Sequence, residues 1–410
     1  MSVMGEFEST TDNPALVDVL RARIEREGAI TFHDYMETAL YQPQHGYYAS
    51  REPMGREGDY LTSPEVHPMF GALVGKQVAE LWRALGEPTA FDVIEQGAGT
   101  GRMAHDLLRW ASRREPAFFG ATRYRIVEIS ASLRERQRQK LAALPDLRGG
   151  QVEWLDELAD GIEGVVLTNE LLDSFPVHRV AYLTPNSFPK GKGNPSEVWV
   201  RTEGGRFVEV VREPSTPRLQ EYFAALGIQP GAGCTVEVNL HAIDWMAEVA
   251  TKLRRGFVLT FDYGYEAAEL YAPWRRDGTL MCFYKHNPSN DPYARIGKQD
   301  MTAHVDFTSL RRAGEAHELE IAGFTTQARF LANLGIGAAI EEVVKEAPGA
   351  LEEYYARRRA VTELIDPAGL GRIRVLAQRK GVEQSALVGF SDGAVALTLE
   401  PFPQGRGELS

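Results

Sequence analysis

The sequence predicts an α/β protein built on a doubly wound, mostly parallel sheet, with a helical region at the amino terminus and inserted substrate or lid segments. Three stretches predict it. Phe91-Asp92-Val93-Ile94-Glu95-Gln96-Gly97-Ala98-Gly99-Thr100-Gly101 runs from an apolar strand through an acid into three alternating glycines, and Met103, Leu107, Leu108 and Ala111 follow at helical spacing. Arg123 to Glu128 reads as a second strand ending in an acid, with Ser130 as a candidate cap for a charged helix from Leu133 to Leu144. Gly164 to Asn169 is almost wholly apolar, as expected of a central parallel strand covered on both faces.

The glycine turn carries the first functional signal. Glycines there permit φ values closed to other residues and let a ligand approach the backbone. The helix that follows offers free N–H groups and a partial positive charge, so an anionic or carboxylate-bearing ligand is expected at its start. A dinucleotide site would place its third glycine at 102, where this chain has Arg102, which argues against a dehydrogenase. The spacing Glu-x-Gly-x-Gly-x-Gly from Glu95 to Gly101 resembles instead the loop of S-adenosylmethionine (AdoMet) methyltransferases. Glu128 then stands where a doubly wound sheet meets a ribose, since a carboxylate accepts from both hydroxyls at once. Asp156, closing a third strand from Gln151, is a candidate acceptor for the adenine amine, or a solvated turn.

Composition bounds the rest. With 410 residues and 43% apolar content, two domains, or one with large insertions, are expected. The segments read as 1–85 helical and lid-forming, 86–183 cofactor-binding, 184–235 an insertion with a β-hairpin, 236–335 the second half of the sheet, and 336–410 a helix and tail. The net charge of −12 argues against nucleic acid as a partner and suits a basic one. Cys234 and Cys282 lack metal spacing, and no disulfide framework or metal site is indicated. The amino terminus has neither a secretory nor a transit-peptide pattern, and no apolar run is long enough to span a membrane, so a cytoplasmic home is expected.

The remaining candidates fall in chain order. Thr31 reads as a helix cap, and the Pro and Gly in Ala39 to Tyr48 make regular helix there unexpected. Tyr41 and Tyr48 are core packing, lid, or a wall of the substrate pocket. Asp59, Thr62, Ser63 and Glu65 precede a helix, where they serve as caps or as ligand contacts. Asn169, Glu170 and Asp173 leave the carboxyl end of the fourth strand, where open α/β sheets bind ligands. Asp262 ends a fifth strand. Asp300, His304 and Asp306 match no metal spacing, and His304 reads as a hydrogen-bonding or catalytic group.

Taken together, Tyr41-Gln-Pro-Gln-His-Gly-Tyr-Tyr48, Gly58-Asp-Tyr-Leu-Thr-Ser-Pro-Glu65, the glycine loop, Asn169-Glu-Leu-Leu-Asp173, Phe261-Asp-Tyr-Gly264, Gly278-Thr-Leu and Asp300-Met-Thr-Ala-His-Val-Asp-Phe307 resemble the MidA family of AdoMet-dependent methyltransferases. The resemblance implies a class I methyltransferase fold, Rossmann-like, with AdoMet held by Gly97, Gly99, Gly101 and Glu128, and Asp156 near the adenine. One mitochondrial member methylates an arginine of a respiratory complex subunit, which implies an arginine-bearing protein substrate. For such an acceptor, Glu170 and Asp173 would orient the guanidinium and take up its proton, with Asn169, His304, Asp59 and Glu65 behind them. A small-molecule acceptor would lean on a general base such as His304. A non-catalytic assembly factor would use the fold only as a scaffold.

Overall fold

The computed structural model describes residues 12–50, 61–182, 195–338, 351–383 and 386–392. The chain divides into two compact units: Thr62–Asn169, Thr251–Phe261 and Leu319–Ser410 form one, and Met1–Leu61, Glu170–Ala250 and Asp262–Glu318 the other.

The first unit is an α/β body around a seven-stranded mixed sheet. In chain order its strands are β1 (Phe91–Gln96), β2 (Thr122–Val127), β3 (Val152–Leu155), β4 (Ile162–Asn169), β5 (Leu253–Asp262), β6 (Glu320–Thr326) and β7 (Arg374–Lys380). They lie side by side as β6-β7-β5-β4-β1-β2-β3. β1 pairs in parallel with β2 and β4, β4 with β5, and β2 with β3, whereas β6 and β7 run antiparallel. Val93, Ile94, Val165, Val166, Leu167, Val258 and Leu259 are buried, so the central strands read as unbroken apolar runs. Each such side chain contributes about 1.5–3 kcal/mol by leaving water. Helix Arg102–Arg114 buries Met103, Leu107, Leu108 and Ala111, the stripe its spacing predicts.

The second unit is built on a five-stranded sheet in which Ile30–Thr31, Ser196–Glu203, His178–Tyr182 and Cys234–Val238 are successive neighbours. Arg206–Arg212 forms an antiparallel hairpin with Ser196–Glu203. Helices Pro14–Glu27 and Phe32–Tyr41 bury Leu16, Leu20, Ile24, Tyr35, Met36 and Leu40 in one core. The Thr31 hydroxyl caps the second helix by accepting from the Asp34 N–H at 3.0 Å. That helix runs further than its sequence led us to expect. Ala39, Leu40 and Tyr41 are helical because Ala39 and Leu40 continue the buried stripe of Tyr35 and Met36, and Pro43 arrives only after the turn is complete.

Candidate functional site

In the seven-strand unit the loop after β1 is made possible by its glycines. Gly97, Gly99 and Gly101 take φ of 75°, 51° and 76°, left-handed values at which a side chain is strained. Helix Arg102–Arg114 starts directly from the last of them. Its N-terminus offers the backbone N–H donors that a cofactor with an anionic end requires.

A buried glutamine ties this loop to the second strand. Gln137 is fully buried; its amide donates to the Gly99 carbonyl at 2.8 Å and to Glu128 Oε2 at 3.3 Å, and it accepts from the Trp154 indole at 2.9 Å. Glu128 also accepts the Ser130 N–H at 2.9 Å, and burial raises its carboxyl above the ordinary range despite these donors. Each carboxylate oxygen can take two donors, so Glu128 keeps lone pairs for a ligand hydroxyl. Glu95 is 1% exposed and accepts the Tyr124 hydroxyl at 2.7 Å, with its carboxyl pushed up to about 7 by burial. Asp156 lies at the other extreme. Its side chain is 93% exposed and pairs at 2.6 Å with Arg134, which also donates to the Leu155 carbonyl at 2.7 Å and to that of Glu128.

Glu65 meets the glycine loop from the other side. It accepts from the Thr100 hydroxyl, and Lys140 donates to the same hydroxyl at 3.0 Å. Thr62 occupies the cap position of helix Ser63–Val66 without making a side-chain cap bond. The Ser63 hydroxyl donates to Gln327 at 2.9 Å. Asp59 lies outside the described residues.

Acids crowd together in the second unit. Asp173 is 6% exposed, and burial beside Asp262, Glu170 and Asp300 holds its carboxyl well above the usual carboxylate range. Asp262, fully buried, is also raised by burial, although it accepts the Leu172 N–H at 2.8 Å and the Tyr263 N–H at 2.9 Å. Glu170 has φ of 51°, an uncommon conformation for a residue with a side chain. Tyr48 donates to Asp300 at 2.8 Å, and Tyr41 to the Ser174 carbonyl at 3.1 Å, so both tyrosines frame the segment that carries Asp173. The Asp173 carbonyl accepts from Ala303 at 2.9 Å, next to His304, whose ring lies parallel to Tyr263 with centroids 6.2 Å apart. Asp306 is committed to capping helix Phe307–Glu315.

Asn169 is the last residue of β4 and 8% exposed, and Glu170 is the next in the chain. Sequence reasoning missed Gln137, Thr100 and Lys140. For Gln137 a signal existed: it sits between Leu133 and Leu141 at four-residue steps, the buried stripe of an otherwise charged helix.

Comparisons with known proteins bear on the chain as a whole. A family model described as "Putative S-adenosyl-L-methionine-dependent methyltransferase" matches residues 73–325. The Drosophila melanogaster protein arginine methyltransferase NDUFAF7 homolog, named mitochondrial, is 30% identical, covering 92% of this chain and 89% of its own length. The Homo sapiens protein arginine methyltransferase NDUFAF7, also named mitochondrial, is 27% identical over 84% and 80%. A Burkholderia thailandensis protein solved bound to S-adenosyl-homocysteine superposes with a TM-score of 0.84 at 34% identity, over 93% of this chain and 95% of that one. The expected cytoplasmic home is corrected by these relatives, which are named mitochondrial. Two unpaired buried cysteines speak against a disulfide framework but do not choose a compartment. Matched over most of its length and carrying the glycine loop in the conformation that loop requires, the chain belongs to the S-adenosyl-L-methionine-dependent methyltransferases, and AdoMet is its cofactor.

Proposed function

We propose that this enzyme is a protein arginine methyltransferase, and that the acids around Asp173 receive the guanidinium. One observation carries the reading. The Asp173 carboxyl is raised first by burial and then by the neighbouring Asp262, Glu170 and Asp300, a setting that a fixed cation relieves by favouring the ionised carboxylate. Guanidinium is planar, always charged and rich in donors, so it can satisfy two carboxylates at once. The names of the fly and human relatives support the same acceptor.

The strand order β6-β7-β5-β4-β1-β2-β3 supports a class I, doubly wound reading of the sheet. AdoMet supplies a methyl group on a positively charged sulfur, open to in-line attack by nitrogen. In this reading the backbone of Gly97 and Gly99, with Gly101 opening the helix, holds the cofactor's amino-acid end. Glu128 accepts from the ribose, and Asp156 accepts from the adenine amine. Glu95 supports the loop from beneath, and Asn169 presents its amide where β4 ends. Glu170 and Asp173 orient the guanidinium and take its proton, with Asp262 fixing the backbone that carries Asp173. His304 borders the acceptor. Tyr41 and Tyr48 then border the acceptor, beside the segments that carry Asp173 and Asp300.

The test is to supply AdoMet labelled on its methyl group together with protein from cells lacking this enzyme, and then to hydrolyse the products to amino acids. Label in methylarginine is expected. Label confined to small molecules would point to a metabolite acceptor and end the arginine reading.

A further inference from the structure

We propose that Glu237 is a second recognition point for the acceptor, its Oε1 taking an N–H of the substrate guanidinium. This deepens the arginine reading above and rests on it.

Glu237 lies on the strand Cys234–Val238 and is 6% exposed. Its two oxygens have unequal lives. Oε2 accepts from the Thr279 N–H at 2.7 Å and the Thr279 hydroxyl at 3.1 Å. Oε1 is buried and, among the described residues, meets no hydrogen-bond partner. Gly278 makes room for the group: a Cβ there would stand 2.2 Å from Oε1 and 2.3 Å from Oε2, so only glycine allows the carboxylate this position. The cation placed opposite it favours the ionised carboxylate by its charge, against the upward push of burial, but gives it no hydrogen bond. Arg179 faces Glu237 across the strand pair, but its guanidinium donates to Glu209 and lies 5.0 Å from the centre of the Phe32 ring.

The carboxylate borders a pocket of about 320 Å³, open mouth included, that is also lined by Asn239, Tyr222, Tyr271, His304 and Asp306. The enclosed part holds about one water-sized group. That suits a single amino lobe of a guanidinium and excludes a bulky head. Two links run from Glu237 towards the acids of the proposed acceptor site. Thr279 accepts the His304 N–H at 3.0 Å, and the neighbouring Ala303 N–H is held by the Asp173 carbonyl. Asn239, two residues on from Glu237, donates to the Leu172 carbonyl at 2.8 Å. A buried carboxylate oxygen without a donor is costly, and a charged N–H donor removes that cost while adding a directed bond. Arginine fits this chemistry, whereas its neutral analogue citrulline, with a carbonyl oxygen in place of one amino lobe, would set oxygen against oxygen.

The experiment measures binding of N-acetyl-L-arginine amide and of N-acetyl-L-citrulline amide by calorimetry, with the full chain saturated by S-adenosyl-homocysteine. The native enzyme should favour the arginine probe. In Glu237→Gln that preference should shrink about 10- to 100-fold, while affinity for S-adenosyl-homocysteine stays unchanged. Glu237→Asp, which keeps the charge but withdraws it, should lie between the two and carries the test if the glutamine variant melts early. Arginine preference intact in both variants would overturn the role of Glu237 and leave the arginine reading standing on Asp173 and Glu170. Equal or absent binding of the two probes by the native enzyme would overturn both.

Discussion

Compare the carboxylates of the two units. In the seven-strand unit Glu128, Glu65 and Glu95 each meet donors from the same unit: Ser130 and Gln137, Thr100, and Tyr124. In the other unit Asp173 is buried among further acids, and Glu237 leaves one oxygen without a donor. In the first arrangement these carboxylates already meet hydrogen-bond donors within their own unit. The second crowds acids together, and in the proposed reading a cation completes it. Cofactor binding and acceptor recognition are therefore expected to fail separately, and that expectation can be broken.

The largest effect should follow removal of charge from the acid group. Glu170→Gln or Asp173→Asn should lower turnover on an arginine-bearing protein about 10²- to 10⁴-fold, with AdoMet affinity kept. A rate left largely intact would move the acceptor towards small metabolites.

Next comes a dependence on pH. The Glu95 carboxyl sits at about 7 in the folded chain against an ordinary 4.5, so the folded state holds its proton longer. Its stabilisation is present in full below the ordinary value and is lost as pH rises through about 7, a fall of about 3 kcal/mol at most. Melting curves between pH 4 and 8 should show this decline in the native protein and a flatter one in Glu95→Gln.

A smaller effect separates packing from ligand contact. Gln137→Leu leaves the Trp154 N–H and the Gly99 carbonyl without their partner, at about 1–3 kcal/mol of stability, and AdoMet binding should weaken with it. Turnover at saturating AdoMet should hold. The smallest change is Asp156→Ala. The melting temperature should stay put because that side chain is 93% exposed, while AdoMet affinity falls about tenfold if the adenine lies there.

The stretches proposed to hold the cofactor could be read in the sequence because each is local. A glycine loop, an acid after the next strand and an apolar central strand all lie within continuous stretches whose period and turn chemistry can be read directly. Glu65 and Gln137 were not placed this way, since each acts through a partner about 35 or 38 residues away, Thr100 and Gly99. The proposed acceptor side showed in the sequence only as residue types. Asp173, Asp262 and Asp300 become one group through folding, and no spacing announces it. Glu237 left no mark at all: it sits at an ordinary strand position, and its character comes from Gly278 and Thr279, some forty residues on.

The most direct measurement is a calorimetric titration with AdoMet of three proteins: the native chain, Gly99→Arg and Glu170→Gln. The two-part account predicts saturable binding by the native chain, none by Gly99→Arg, where a bulky side chain would enter a loop held at φ of 51°, and native-like binding by Glu170→Gln. No binding by the native chain at millimolar AdoMet, or loss of binding in Glu170→Gln, would contradict it.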